Sequence, residues 1–215
     1  MPRFTLYGSP HSLPTYKVAL MLRLSAASFT FRYVSFQKEM HKAPEFLALS
    51  RWGQVPVLLD NDRPFVQSAA IVEHIAAQLG RFEGTDEASR QAAREWLYWN
   101  VDVLFPPVFS CYAVSLMKRK LLPLAIEPAI AEYRLKQAEM ALATLDANLA
   151  GRDFLCGADP TIADIFCTGD VAFAIVCEFD LRRWPNVARW VQKMMALPGF
   201  KAPFDLLRMQ DEEFA

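Results

Sequence analysis

Phe4-Thr5-Leu6-Tyr7, then Gly8-Ser9-Pro10-His11, then Ser12-Leu13-Pro14-Thr15 read in succession as a strand, a turn and the capped start of a helix. Gly8-Ser9-Pro10 ends the strand. Ser12 can accept a hydrogen bond from a first-turn N–H, and Pro14 falls where a helix needs no donor, so a helix begins here and runs through Tyr16–Leu24 without a breaker. Beyond it, Phe31–Ser35 alternates as a second strand and Pro44–Leu49 reads as a short helix. Val57–Leu59 and Pro64–Val66, joined through Asp60-Asn61-Asp62-Arg63, read as a hairpin, and Ser68 caps a helix to about Leu79. The order βαβ, helix, ββα implies a mixed sheet with helices packed on it.

Gly80-Arg81-Phe82-Glu83-Gly84-Thr85-Asp86 marks a boundary, because two glycines and polar residues separate periodic segments. The texture then changes. Glu87–Tyr98, an aromatic-rich stretch interrupted by Pro106-Pro107, Ala129–Asn148, Ile165–Val176 and Pro185–Leu197 all carry helical spacing. Thr161-Ile162-Ala163-Asp164 matches a capping box in which threonine and aspartate satisfy each other's orphan donors. The expectation is α/β plus all-α: an N-terminal domain over 1–80, a linker over 81–86 and a helical bundle over 87–215.

With 215 residues, 53% of them apolar, and a net charge of -1, the chain has material for two cores. No Lys/Arg block concentrates positive charge, which argues against nucleic acid. No near-pure apolar run reaches membrane-spanning length, and Met-Pro-Arg-Phe-Thr lacks a signal-peptide layout, so a cytoplasmic protein without membrane contact is expected. Cys111, Cys156, Cys167 and Cys177 form no Cys-x-x-Cys pair and read as reduced core residues. His11, His41 and His74 have no zinc-ligand spacing, and no metal is expected.

Three short features bear on chemistry: Ser12, Gln54-Val55-Pro56 and Gln67-Ser68. Each by itself reads as a capping or turn device. In combination they resemble the glutathione transferase family. Leu6-Tyr7 with Ser12-x-Pro14-x-x-Lys17-Val18 is similar to the catalytic-serine motif of its serine-type members. Gly53-Gln54-Val55-Pro56-Val57-Leu58 resembles its cis-proline loop, Gln67-Ser68-Ala69-Ala70-Ile71 its Glu/Gln-Ser-x-Ala-Ile signature, and Thr161–Ile165 its helical capping box.

The resemblance implies a thioredoxin-like domain followed by a helical domain, with glutathione as co-substrate. It implies that Ser12 donates to the glutathione sulfur, that the Val55 backbone beside a cis Pro56 pairs with the cysteinyl backbone, and that Ser68 and Gln67 meet the γ-glutamyl carboxylate and amino group. His41 and Gln54 are implied at the glycyl carboxylate. An electrophile pocket between the domains would draw on Tyr7, His11, Tyr98, Trp99, Phe105, Phe109 and Tyr112, which by periodicity alone also read as core. Tyr7 is the runner-up for the activating hydroxyl. Lys17 reads as a surface charge. A homodimer with a detoxifying role toward a small hydrophobic electrophile is the implied setting.

Two departures stand out. Gln67 occupies a place where many serine-type members carry Glu, and Leu13-Pro14-Thr15 replaces a segment that ends in Cys, which disfavours dithiol chemistry. Those departures keep open a non-catalytic binding or interaction module on the same fold. A serine hydrolase using Ser12 and His11 is disfavoured, since no Gly-x-Ser-x-Gly elbow is present.

Overall fold

The structure of the protein, a computed structural model, describes residues 2–119 and 126–208. The chain divides into two compact units: residues up to Arg81 together with the segment from Leu197, and Phe82–Ala196.

The first unit contains β1 (Phe4–Gly8), α1 (Leu13–Leu24), β2 (Phe29–Tyr33), α2 (Pro44–Leu49), β3 (Val57–Asp60), β4 (Arg63–Val66) and α3 (Ser68–Leu79). The sheet order is β2-β1-β3-β4, with β2 parallel to β1 and both hairpin strands antiparallel to their neighbours. Phe4 pairs with Phe29, so β2 begins two residues before the alternation at Phe31 suggested. Leu6 and Leu58 lie opposite each other and are wholly buried. α1 is buried along nearly its whole length, and Lys17 is 1% exposed rather than a surface charge. An all-round buried helix leaves no polar face for a lysine to occupy.

The expected helical domain over 87–215 is too long at its C-terminal end. From Leu197 the chain groups with the first unit. Gly199 has φ +92 and passes so close to α1 that a Cβ there would lie 2.7 Å from the Arg23 carbonyl oxygen, and the Tyr16 hydroxyl donates to the Lys201 carbonyl at 2.7 Å. These contacts hold the segment on α1 instead of extending the bundle.

The second unit contains α4 (Glu87–Trp99), a π-helical turn (Asn100–Leu104), α5 (Phe105–Lys118), α6 (Pro128–Asn148), α7 (Ile162–Val176) and α8 (Pro185–Met195). Asp86 and Ser89 form a capping box at α4. Pro106 and Pro107 do not interrupt the helical run: they fall in the first turn of α5, directly after the π turn. Such a change of winding absorbs residues that cannot donate to the ladder. In length and composition the run Glu87–Lys118 contains a window apolar enough to cross a membrane, with 33% of that window buried. Polar residues such as Asn100, Asp102 and Ser110 break it into short apolar pieces, so no near-pure apolar run stands out along the chain.

Asp164 organises this unit. Its carboxylate accepts from the Leu155 N–H (2.8 Å), the Thr161 N–H (2.9 Å), the Thr161 hydroxyl (3.1 Å) and the Trp190 indole N–H (2.9 Å), joining the loop before α7 to α8. Cys167 is buried and the other three cysteines half-buried, all as thiols. Burial pushes the Cys156 thiol up to about 11 and the Cys177 thiol to about 12.

Asp164→Ala leaves four donors without an acceptor, three of them from buried backbone or indole, and is expected to cost about 3–5 kcal/mol in urea unfolding. An unchanged unfolding midpoint would refute this role.

Asp60, at the end of β3, accepts from Arg3 Nε at 2.6 Å and Arg3 Nη2 at 2.7 Å, and pairs with His74 Nε2 at 2.9 Å on α3. The Arg3 hydrogen bonds, chiefly, and His74 hold its carboxyl below the usual value against the opposing effect of burial. Since the folded pKa lies below the unfolded one, this contribution is complete above roughly pH 4 and is lost as pH falls through the folded value. The melting temperature of the protein is therefore expected to fall more steeply below about pH 4 than that of Asp60→Asn, compared by calorimetry across the acid range.

Candidate thiol-binding site

Strand register brings the three sequence features to one end of the sheet. Tyr7 of β1 pairs with Val57 of β3, and Val57 pairs with Val66 of β4. The chain leaving β1 toward Ser12, the chain entering β3 through Val55-Pro56, and the chain leaving β4 into Gln67-Ser68 therefore emerge side by side, about 4.8 Å apart per strand. The Val55–Pro56 peptide is cis.

Ser12 is half-buried and caps α1 in extended conformation; its hydroxyl oxygen accepts from the Thr15 N–H at 3.3 Å. That bond takes a lone pair and leaves the hydroxyl proton to be aimed elsewhere. Neither α1 nor α3 carries an acidic residue in its first turn, so the positive potential of both helix starts is undiminished at this end of the sheet. Thr15 is wholly buried, its Oγ1 meets no partner, and its methyl lies against Gly8, where an added Cβ would come within 2.3 Å of it.

Gln67 holds φ 70 and ψ 113 at the N-cap of α3, a strained backbone for a residue with a side chain. Ser68 is thus the first helical residue and not the cap expected of it. The Gln67 amide donates to Gln54 Oε1 at 3.2 Å. Two side chains implied at opposite ends of a tripeptide are therefore in direct contact. The Gln54 backbone is pinned by Ser50, whose hydroxyl donates to its carbonyl at 3.0 Å and accepts from its N–H at 3.2 Å. Ser50 had no sequence signal beyond being a polar residue after an apolar helix.

His41 sits behind this loop. Its ring meets Phe36 edge-on at 5.0 Å, its Nδ1 is buried without a partner, and burial, with the Lys42 charge, lowers its pKa. Near neutral pH it presents an uncharged imidazole. His11 is half-buried 5.4 Å from Phe204, and burial lowers its pKa as well.

The aromatic residues implied at an electrophile pocket separate. Tyr7 belongs to the core cluster with Val34, Met40, Phe46 and Val57, which removes it as a pocket wall. Tyr112 is 2% exposed, packs edge-on to Phe173 at 4.9 Å and has its phenol pushed up to about 12 by burial, so it too is core. Tyr98 and Phe109 are exposed, and Trp99 and Phe105 half-buried, with Phe105 tilted against Phe109 at 5.7 Å.

Known proteins share the sequence pattern and the fold of this chain. The family profile of the glutathione S-transferase N-terminal domain matches residues 2–77, and that of the C-terminal domain matches residues 127–193. Glutathione S-transferase 3 of Zea mays is 34% identical over 167 residues, covering 76% of this chain and 75% of its own. The chain belongs to the glutathione S-transferase family. Among solved structures, a glutathione S-transferase from Xanthobacter autotrophicus superposes with a TM-score of 0.83 at 29% identity, over 94% of this chain and 98% of that one. Ure2p in complex with glutathione superposes at 0.81 with 20% identity, over 92% and 91%, a likeness of fold. The fold of the family is thus present: an N-terminal unit with a four-stranded mixed sheet and a helical second unit.

Gly53 connects the two sides of this loop. It has φ +59, and a Cβ would lie 2.8 Å from the His41 carbonyl oxygen and 3.3 Å from Leu47 Cδ2. Gly53→Ala is expected to destabilise by about 1–3 kcal/mol in chemical denaturation, through the left-handed backbone and the backbone clash together. A neutral substitution would show that the His41 and Gln54 segments are not held in this register.

Proposed function

We propose that the protein is a glutathione transferase that activates the glutathione thiol with Ser12 and directs the thiolate at a small hydrophobic electrophile. The observation that carries this reading is the convergence of Ser12, Val55-Pro56 and Gln67-Ser68 at one sheet end beside two helix N-termini.

The chemistry rests on these groups. The Ser12 hydroxyl donates to sulfur, with its lone pair held by the Thr15 N–H, so the thiolate is favoured over the thiol. The α1 start adds positive potential at the same place, the setting in which thiol pKa values fall to roughly 3.5–7.5. The thiol proton leaves to solvent. The thiolate then forms a carbon–sulfur bond with the electrophile as a leaving group departs or a double bond takes up charge. Ser12 touches the reacting atom but forms no covalent bond to it.

Binding uses backbone more than charge. Val55 offers its N–H and C=O to the cysteinyl backbone as an added strand would. Ser68 and the first-turn N–H groups of α3 receive the γ-glutamyl carboxylate, and Gln67 Oε1 accepts from the amino group. His41 and Gln54 serve the glycyl carboxylate, which requires the Gln54–Gln67 bond to open as glutathione enters. A detoxifying role as a cytoplasmic homodimer without nucleic-acid or membrane partners completes the reading, and the four unbridged cysteines fit a reducing compartment.

Titrating the ultraviolet absorbance of bound glutathione tests the assignment. The wild-type complex is expected to show a thiol pKa at least about one unit below the usual 8.5, and Ser12→Ala to lose that shift along with about 100-fold in kcat/KM. An unchanged titration in Ser12→Ala refutes the serine role. Absence of glutathione binding in a protein that melts cooperatively replaces the enzyme by a binding module on the same fold.

A further inference from the structure

The side chain of Thr15 joins the end of β1 to the first turn of α1. Gly8, the last residue of β1, is fixed from the sheet: it pairs with Tyr33 of β2, and its carbonyl accepts from the Val34 N–H at 2.8 Å. Its φ is not left-handed, so a glycine here answers a need for space and not for backbone freedom. A Cβ at Gly8 would lie 2.6 Å from Thr15 Oγ1, 3.0 Å from Thr15 Cβ, and closer than either to Thr15 Cγ2. Thr15, wholly buried, thus seats both arms of its branched side chain on the bare face of Gly8. Branching at Cβ restricts χ1, so seating both arms fixes the residue as a whole.

The backbone of Thr15 in turn acts on Ser12. Its N–H, at the third helical position, donates to Ser12 Oγ at 3.3 Å. That is just past the usual N–H···O range of about 2.7–3.2 Å, so a small displacement of the first turn breaks it. The rest of Ser12 is tied: its N–H donates to the Ser9 carbonyl at 3.0 Å, and its carbonyl accepts from the Tyr16 N–H at 3.0 Å. The direction of the Ser12 hydroxyl proton therefore depends on one long bond, and that bond on where Thr15 sits. The Thr15 hydroxyl takes no part. Its Oγ1 is buried and meets no partner among the described residues, an arrangement that costs stability.

We propose that Thr15 is a positioning residue for Ser12: its branched end, seated on Gly8, sets the first turn of α1 so that the Thr15 N–H holds Ser12 Oγ and leaves the hydroxyl proton turned to the glutathione sulfur. The role is one of shape, and the Thr15 hydroxyl is dispensable to it. This inference rests on the proposed reading of Ser12 and adds to it the residue that aims the serine.

Ultraviolet titration of bound glutathione, run on Thr15→Ala, Thr15→Val, Ser12→Ala and Ser12→Ala/Thr15→Ala, tests it. Thr15→Ala, which removes both arms, is expected to raise the thiol pKa by about half a unit and to lower kcat/KM about threefold, the same factor. Its affinity for S-methylglutathione, which has no thiol to ionise, is expected to stay within about twofold of wild type, since only the aim of Ser12 changes. Thr15→Val restores both arms without the hydroxyl and is expected to recover the wild-type titration. In the Ser12→Ala background, Thr15→Ala is expected to add nothing, because it acts through the serine. A titration that Thr15→Ala leaves unchanged, a Thr15→Val protein that behaves as Thr15→Ala, or a further shift in the double variant would each overturn the proposal. A parallel loss of S-methylglutathione affinity in Thr15→Ala would make its role merely structural and overturn it as well. Ser12→Ala separates the two readings: an unchanged titration there refutes the proposed function itself, whereas a shift lost in Ser12→Ala and kept in Thr15→Ala refutes only the role of Thr15.

Discussion

The pairing of β1 with β3 sets the geometry on which everything at the candidate site rests. Leu6 lies opposite Leu58, both wholly buried, while Tyr7 lies opposite Val57 one step nearer the sheet end. A one-residue slip would turn the buried side chains of a whole strand to the other face. Hydrophobic burial thus selects the register, and the register sets which loops emerge together. The juxtaposition of Ser12, Val55-Pro56 and Gln67-Ser68 is a consequence of core packing several residues away. Local features then refine it: the Thr15 N–H orients Ser12, and Ser50 clamps Gln54.

Much of this was legible in the sequence because the informative residues act locally. Ser12 and Pro14 announce a helix start through their own hydrogen-bonding limits, and the strand–turn–strand pattern of 57–66 reads as the hairpin that forms. Thr161 and Asp164 advertise their cap in four residues, although the Leu155 and Trp190 donors that make Asp164 a hub come from outside that window. What stayed hidden depends on distant parts of the chain. Nothing near Lys17 shows that α1 is covered on every side, and nothing near Lys201 shows that its carbonyl is needed by Tyr16. The contact of Gln67 with Gln54 joins residues on either side of the hairpin, and spacing along the chain does not report which way two amides turn.

Helical periodicity failed in an instructive place. Tyr98, Phe105, Phe109 and Tyr112 share one face of an ideal helix, yet Tyr98 is 58% exposed and Tyr112 only 2%. The π turn over Asn100–Leu104 lies between them. An i→i+5 turn takes up about one residue more than an α turn, and one residue corresponds to about 100° of rotation. Residues beyond the π turn therefore face a different direction from the one the 3.6-residue period projects. Tyr112 is thereby delivered to Phe173 in the core, whereas Tyr98, before the turn, stays outside. The same turn absorbs Pro106 and Pro107, so the feature that misleads the periodicity is also what keeps the helical run continuous.

The electrostatics of this sheet end are built from dipoles instead of fixed charge. Both helix starts lack acidic residues, Gln67 replaces a carboxylate by an amide, and burial with the neighbouring Lys42 keeps His41 uncharged near neutrality. Backbone N–H groups do not titrate, and their partial charges act within a turn of the helix end. Under the proposed reading, the potential felt by the glutathione sulfur and carboxylates is accordingly steady across the neutral range, and the thiol itself is the group whose ionisation changes there. Substituting glutamine for glutamate gives up a direct attraction for the γ-glutamyl ammonium. It also removes a negative charge that would otherwise offset the α3 helix start, the proposed place of the γ-glutamyl carboxylate. Under the proposed reading the two effects oppose each other, one weakening the hold on the ammonium and the other strengthening the hold on the carboxylate.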